Sequence, residues 1–223
     1  MTQLRAVIFD LDGTLIDSAP LVTQAIQQTM INKTGKHIPL ADLQQFVGPP
    51  LSTTFRNLGA GAETSAYVEE YRRLYSQTIN QTPLFPGVRE LLKKLQSSGI
   101  FMAIATSKRE DLAQQICAEL DIAHFFTKIC GADLADKKAD KATIVGRALR
   151  GFYEAGQLDK PSTVENYRSD VVMVGDRIYD IVGAKTHNIA AILLTWGAAP
   201  AEEYQQAYQV ADSAPDLEKL LLA

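Results

Sequence analysis

Two carboxylates, Asp10 and Asp12, stand one residue apart in Ala6-Val7-Ile8-Phe9-Asp10-Leu11-Asp12-Gly13-Thr14-Leu15. Ionised acids that close repel each other, and a carboxylate taken out of water without a partner is costly. A hard cation such as Mg²⁺ relieves both problems, because it takes oxygen ligands and accepts several anions around it. Asp12-Gly13 is also a common turn dipeptide, so the pair alone leaves a surface turn and a cation site both open. The residues before it favour the site. Ala6 to Phe9 is an unbroken apolar run, the pattern of a strand buried on both faces of a parallel sheet. Open α/β sheets bind ligands at the carboxyl ends of such strands, which is where both acids fall. Gly13 lets the chain turn there and approach a bound substrate closely.

A second apolar run ends the same way. Val171-Val172-Met173-Val174 leads into Gly175-Asp176, and Asp180 follows four positions later. With Asp176 in the loop and Asp180 one helical turn on, both can face one cation. A third run, Phe101 to Ala105, ends in Thr106-Ser107 before a helical pattern. A hydroxyl and free N–H groups at a helix N-terminus form an anion site, although a Thr-Ser pair also serves as an ordinary helix cap.

The elements that must position these residues follow from the periodicity. After Leu15 the pattern turns helical, from Ser18 or Asp17 as cap and Pro20 in the first turn to a stop at Gly35. Further helices are expected over Leu40 to Val47, Leu51 to Leu58 and Thr64 to Asn80. Turn residues at Gln81 to Gly87 close this block. Strand and helix then alternate: helix Val88 to Ser98, strand Ile100 to Ala105, helix Lys108 to Leu120, strand Thr127 to Cys130. Helix Lys141 to Ala155, strand Val171 to Val174, helix Ile178 to His187 and strand Ala190 to Leu194 follow. Helical pieces around Glu202 to Tyr208 and Asp216 to Leu222 end the chain. This predicts an α/β fold, a doubly wound parallel sheet with right-handed crossovers and an inserted helical block. The expected division is a core of residues 1–16 and 83–223 and a helical unit of residues 17–82. The segment Gly156 to Asp170 is polar and longer than an ordinary connection.

Bulk properties narrow the class. The 223 residues are 46% hydrophobic and 22% charged, with a formal net charge of −4. That balance suits a globular protein and offers no basic footprint for a nucleic-acid polymer. The two cysteines, Cys117 and Cys130, sit in unrelated contexts and suggest neither a disulfide framework nor a zinc site. There is no apolar run of membrane-spanning length and no signal-like start, so a cytoplasmic location without membrane association is expected.

Asp10-Leu11-Asp12-Gly13-Thr14-Leu15 resembles the first motif of the haloacid dehalogenase superfamily, most closely its phosphatases. The resemblance implies that Asp10 is the nucleophile, forming an aspartyl-phosphate, and that Asp12 is the general acid and base. Thr106 matches the second motif, with Ser107 in place of a common Asn. Val171 to Asp180 resembles the fourth motif. Asp176 is then a direct ligand of Mg²⁺, with Asp10 and the backbone carbonyl of Asp12, while Asp180 is a ligand through water or the partner of a lysine. The third-motif lysine is one of Lys137, Lys138 and Lys141; Lys141 is preferred because it opens the apolar helix Ala142, Ile144, Val145, Ala148, Leu149. The helical insert resembles the cap of one subgroup, and Phe46 to Leu51 resembles a cap loop leaning over the site in phosphoglycolate phosphatase-like members. Gly48 is thereby expected to touch substrate; Arg56, a turn and a half into the next helix, is read either as a contact for an anionic leaving group or as an exposed helix residue.

The implied activity is Mg²⁺-dependent hydrolysis of a small phosphoester, phosphoglycolate first and a 5′-nucleotide second. A β-phosphoglucomutase-type mutase and an inactive binding protein on the same scaffold are the alternatives. The acid at position 12 argues against a dehalogenase or a phosphonatase. A monomer or a homodimer is expected.

Overall fold

A computed structural model describes residues 4–78, 81–132, 140–160, 168–197 and 199–223. Among the described residues six strands form one sheet: β1 (Ala6–Phe9), β2 (Phe101–Arg109), β3 (Lys128–Ala132), β4 (Arg168–Gly175), β5 (Ile189–Leu194) and β6 (Gln209–Ala211). Their order is β3-β2-β1-β4-β5-β6, and every pairing is parallel. The chain therefore builds outward from β1 on one side, then returns and builds outward from β4 on the other. The reversal opens a crevice beyond the carboxyl ends of β1 and β4, the place where such sheets hold ligands. Phe9 is in register with Val174, and the Asp10 amide donates to the Val174 carbonyl at 2.8 Å. The two acid-bearing chain segments thus leave the sheet side by side.

Alternation along β1 splits the apolar core. Val7 and Phe9 join one buried cluster with Met102, Ile104 and Val174. Ala6 and Ile8 join the other, against Ile144, Val145, Ala148 and Phe152 of α7 (Lys141–Glu154). Both faces of β1 are covered, which is why its sequence shows no polar alternation.

Between β1 and β2 lie α1 (Ala19–Thr34), α2 (Leu40–Leu43), α3 (Leu51–Asn57), α4 (Thr64–Ser76) and α5 (Val88–Ser97). Gly35 adopts a left-handed φ of 72° and its amide closes α1 on the Ile31 carbonyl, as the glycine stop predicts. The chain enters and leaves the α1–α4 segment through two paired strands of backbone. Ile16 bridges Leu84, the Asp17 amide donates to Pro83, and the Phe85 amide donates to Leu15. The remaining helices are α6 (Glu110–Glu119), α8 (Ile178–Lys185), α9 (Ala201–Tyr204) and α10 (Ala214–Leu222).

Several boundaries differ from expectation. The segment from Leu40 is an α-turn followed by a 3₁₀ turn, Gln44–Phe46. Helix α4 ends at Ser76, and residues 79 and 80 lie outside the described residues. The helix expected around Glu202 to Tyr208 is only α9, and β6 follows it, a short edge strand in a polar stretch. Of the segment 156–170, residues 161–167 lie outside the described residues and Arg168 to Asp170 begin β4. Among the described residues no helix is long and apolar enough to cross a membrane.

Candidate active site

At the β1/β4 crevice, Asp10, Asp176 and Asp180 each offer a carboxylate oxygen within 4.8 Å of the others, and all three residues are buried. Among the described residues, one cation stands between them. Lys141, the first residue of α7, places Nζ 3.0 Å from Asp10 Oδ1 and 2.8 Å from Asp180 Oδ1. It also donates to the Ala105 carbonyl at 3.0 Å, which ties it to the end of β2. Burial opposes charge on Lys141, but Asp10 and Asp180 more than offset it and hold the ammonium protonated above its usual range. Asp180 is thus the partner of the lysine and also a member of the acid cluster.

Glycines make this crowding possible. A methyl group at Gly13 or Gly197 would lie 2.2 or 2.3 Å from the Asp176 side chain, and one at Gly175 would lie 2.2 Å from Asp180. Gly13 also has a φ of +75°, a region that side chains avoid. Its role is to admit Asp176, which packs directly against it. Trp196 fastens the same turn, donating from Nε1 to the Thr14 carbonyl at 3.1 Å.

The cluster carries more negative charge than Lys141 balances. Burial, followed by the neighbouring Asp180 and Asp12 charges, outweighs the opposing pull of Lys141 and lifts the Asp10 carboxyl from 3.8 to about 6. Three buried carboxylates converging within reach of one atom fit a hard divalent cation with oxygen ligands. The donor set contains no sulfur or imidazole, which argues for Mg²⁺ over zinc.

The acids face a cavity of about 180 Å³ whose far wall is formed by the α1–α4 segment. Phe46, Val47, Gly48 and Pro49 line it from the loop before α3, Tyr71 and Tyr75 from α4, and Thr106, Ser107 and Lys108 from β2. The arrangement brings a buried carboxylate, a fixed ammonium, acids that could hold a cation and a hydroxyl to the wall of one small cavity. This is a setting for phosphoryl chemistry.

Comparison with known proteins agrees. The profile of the haloacid dehalogenase-like hydrolases matches residues 7–194. The chain belongs to that family. The tyrosine-protein kinase PtkA of Mycobacterium tuberculosis is 33% identical over 200 residues, covering 89% of this chain and 64% of that protein. The chain therefore spans a little under two thirds of the length of this relative. A phosphoglycolate phosphatase of Pseudomonas syringae is 30% identical over 233 residues, 97% of this chain and 78% of its own length. A structure described as a predicted phosphatase from Clostridium acetobutylicum superposes with a TM-score of 0.86 at 29% identity, covering 99% of both chains.

As a haloacid dehalogenase-like hydrolase, the chain brings Asp10, Thr106, Lys141, Asp176 and Asp180 to one site, with Ser107 and Gly48 at the cavity wall. Lys137 and Lys138 lie outside the described residues. Three expectations need correction. The Asp12 carboxylate is not part of the acid cluster; its Oδ1 pairs with Lys108 Nζ at 3.0 Å instead. Thr106 and Ser107 are not at a helix N-terminus. Strand β2 continues past them to Arg109, which pairs with Ala132 beyond a bulge, so α6 starts at Glu110. Arg56 does not line the cavity. It is exposed on α3 and donates from Nε to the Ser52 carbonyl, because the neighbouring Phe55 takes the inward face of that helix.

Two basic residues escaped the sequence reading. Lys108 reaches Asp12. Arg177 sits next to Asp176, forks onto Glu203 through Nε and Nη2 at 3.2 Å each, and donates from Nη1 to the Val47 carbonyl at 2.9 Å. The clue to Arg177 was its position directly after Asp176; its Glu203 and Val47 partners are distant in sequence and left no local signal.

Proposed function

We propose that the chain is a Mg²⁺-dependent phosphomonoesterase that acts on a small phosphorylated metabolite through an aspartyl-phosphate on Asp10. The observation that carries this reading is the joining of Asp10, Lys141, Asp176 and Asp180 in one buried cluster facing the cavity. In this reading Asp10 attacks phosphorus in line while Asp12 gives its proton to the departing alkoxide. Lys141 stays charged and, with the Thr106 hydroxyl, stabilises the phosphoryl oxygens as negative charge builds on them. Water then yields a proton to Asp12 and attacks the phosphorus of the aspartyl-phosphate, freeing Asp10. Asp10, Asp176 and Asp180, with the backbone carbonyl of Asp12, would hold Mg²⁺, which neutralises charge on the transferring group when bound. Residues 17–82 act as a cap over a core of residues 1–16 and 83–223, shutting out bulk water and reopening for release.

The first substrate is phosphoglycolate, supported by the 30% identity to the Pseudomonas syringae phosphatase over nearly the whole chain. A 5′-nucleotide is the second choice. The net charge of −4 and the small cavity support a small-molecule partner over a nucleic-acid polymer, and a cytoplasmic monomer or homodimer is proposed with them. One observation favours a second reading, in which a tyrosine hydroxyl replaces water as phosphoryl acceptor: the 33% identity to the mycobacterial protein named as a tyrosine kinase. The test is a phosphate-release screen with Mg²⁺ over phosphoglycolate, nucleoside monophosphates and sugar phosphates, run beside transfer from labelled ATP to a tyrosine peptide. Mg²⁺-dependent release that disappears in Asp10→Asn supports the hydrolase. Release that persists in Asp10→Asn contradicts it, and label appearing on the peptide without net release moves the assignment to the second reading.

A further inference from the structure

On the wall of the cavity, beside Asp12, stands another cation, Lys108. The Lys108 side chain is only 10% exposed and lies 3.0 Å from Asp12 Oδ1. Its Nζ donates to Tyr75 Oη at 3.2 Å and sits 4.7 Å from the centroid of that ring. Tyr75 is fixed in turn: its ring stacks on Tyr71 at 5.6 Å and 9°, and Tyr71 packs against Phe55. A chain of contacts therefore runs from the aromatic core of the α1–α4 segment through Lys108 to Asp12.

Asp12 follows Asp10 by two residues, and a cation bound at the cluster attracts any carboxylate within reach. An acid drawn onto the cation cannot also serve the leaving group. Lys108 gives Asp12 a competing partner, distinct from Lys141, which pairs with Asp10 and Asp180. We propose that Lys108 is a positioning residue that holds the Asp12 carboxylate toward the leaving group, and that Tyr75 makes this hold depend on the seating of α4. The inference rests on the phosphatase reading for its kinetic consequence, but not for its consequence on cation binding.

The experiment compares kcat/KM, which reports the first transfer step, for an alkyl phosphate and for p-nitrophenyl phosphate. The nitrophenolate departs without a proton, whereas an alkoxide needs one. Lys108→Met is expected to lose about 100-fold on the alkyl ester, in the range that general-acid catalysis supplies, and under about tenfold on the aryl ester. Tyr75→Phe keeps the stacked ring and is expected to show the same selective loss, smaller in size. Equal losses on both esters in Lys108→Met overturn the role of Lys108 and leave the phosphatase reading standing. Should Lys108→Met fail to fold, Tyr75→Phe carries the comparison, and a wild-type ratio of the two esters overturns the proposal. Absence of wild-type turnover on either ester overturns the phosphatase reading instead. A Mg²⁺ titration followed by thermal shift then decides the positioning role: Lys108→Met frees Asp12 to join the cluster and lowers the half-saturating Mg²⁺ several-fold, and an unchanged midpoint overturns it.

Discussion

Replacing Asp10, the proposed nucleophile, should stabilise the metal-free protein. Asp10 is buried among like charges, and its carboxyl is lifted from 3.8 to about 6 chiefly by burial. The folded state therefore holds a proton that the unfolded chain has already released between those values. The Asp10 contribution to stability is intact below about pH 4, is lost as the pH rises from there through about 6, and stays lost above it. At roughly 1.4 kcal/mol per pH unit the full loss is on the order of 3 kcal/mol. Asp10→Asn has nearly the same shape, keeps the acceptor for the Leu11 amide at 2.7 Å, and cannot ionise. It forgoes some attraction to Lys141, but Lys141 retains Asp180 at 2.8 Å. A chain of this size shifts in Tm by about 2–4 °C per kcal/mol, which sets a ceiling of roughly 6–12 °C. With that offset we expect Asp10→Asn to melt about 3 °C or more above wild type at pH 8 in EDTA. The gap should close as the pH falls toward 4, and saturating Mg²⁺ should reverse it, because only the wild type has the full set of acids. Scanning fluorimetry across this pH range, with and without Mg²⁺, reads all three. A variant less stable than wild type at pH 8 in EDTA, or a gap independent of pH, would refute the charge argument.

Lys141→Met removes the ammonium that lies between Asp10 and Asp180; turnover should vanish and metal-free stability at pH 8 should drop by about 3–5 kcal/mol, the usual cost of orphaning a buried charge, as read by urea unfolding. Gly197→Ala sets a methyl group 2.3 Å from Asp176, so Mg²⁺ affinity by titration calorimetry should weaken at least about tenfold while the secondary structure seen by circular dichroism is kept; wild-type affinity would show that Asp176 is not a ligand. Arg56→Ala should leave kcat and KM within about twofold for every substrate that is turned over, since Arg56 is exposed and, among the described residues, its side chain bonds within its own helix turn. Glu203→Gln weakens the fork that holds Arg177 against the Val47 carbonyl, and steady-state kinetics should show KM rising more than kcat falls.

The parts of this site that sequence reveals are those where local pattern and tertiary placement coincide. A strand buried on both faces must be apolar throughout, so the acids after Phe9 and Val174 stand out against it, and parallel pairing leaves them adjacent. Lys141 was legible for a similar reason: it opens a helix whose buried face, Ile144, Val145 and Ala148, can be read from its period. Lys108 carried no such mark. Its meaning comes from Tyr75, Asp12 and the extension of β2, and that extension depends on pairing with β3. Of the two readings of Arg56 the exposed one holds, and the helical phase explains it, because Thr54 and Phe55 occupy the buried side of α3. Strand β6 escaped notice because an edge strand of Gln209-Val210-Ala211 buries little and borrows its hydrogen bonds from β5.

The most direct test of the central claim is to trap the covalent intermediate. During turnover of a good substrate with Mg²⁺, borohydride reduces an acyl phosphate to the corresponding alcohol, and peptide mass spectrometry locates the change. The account predicts homoserine at position 10, dependent on substrate and on Mg²⁺ and missing when Lys141 is replaced. Sustained phosphate release with position 10 unmodified and a trapped residue elsewhere would contradict it.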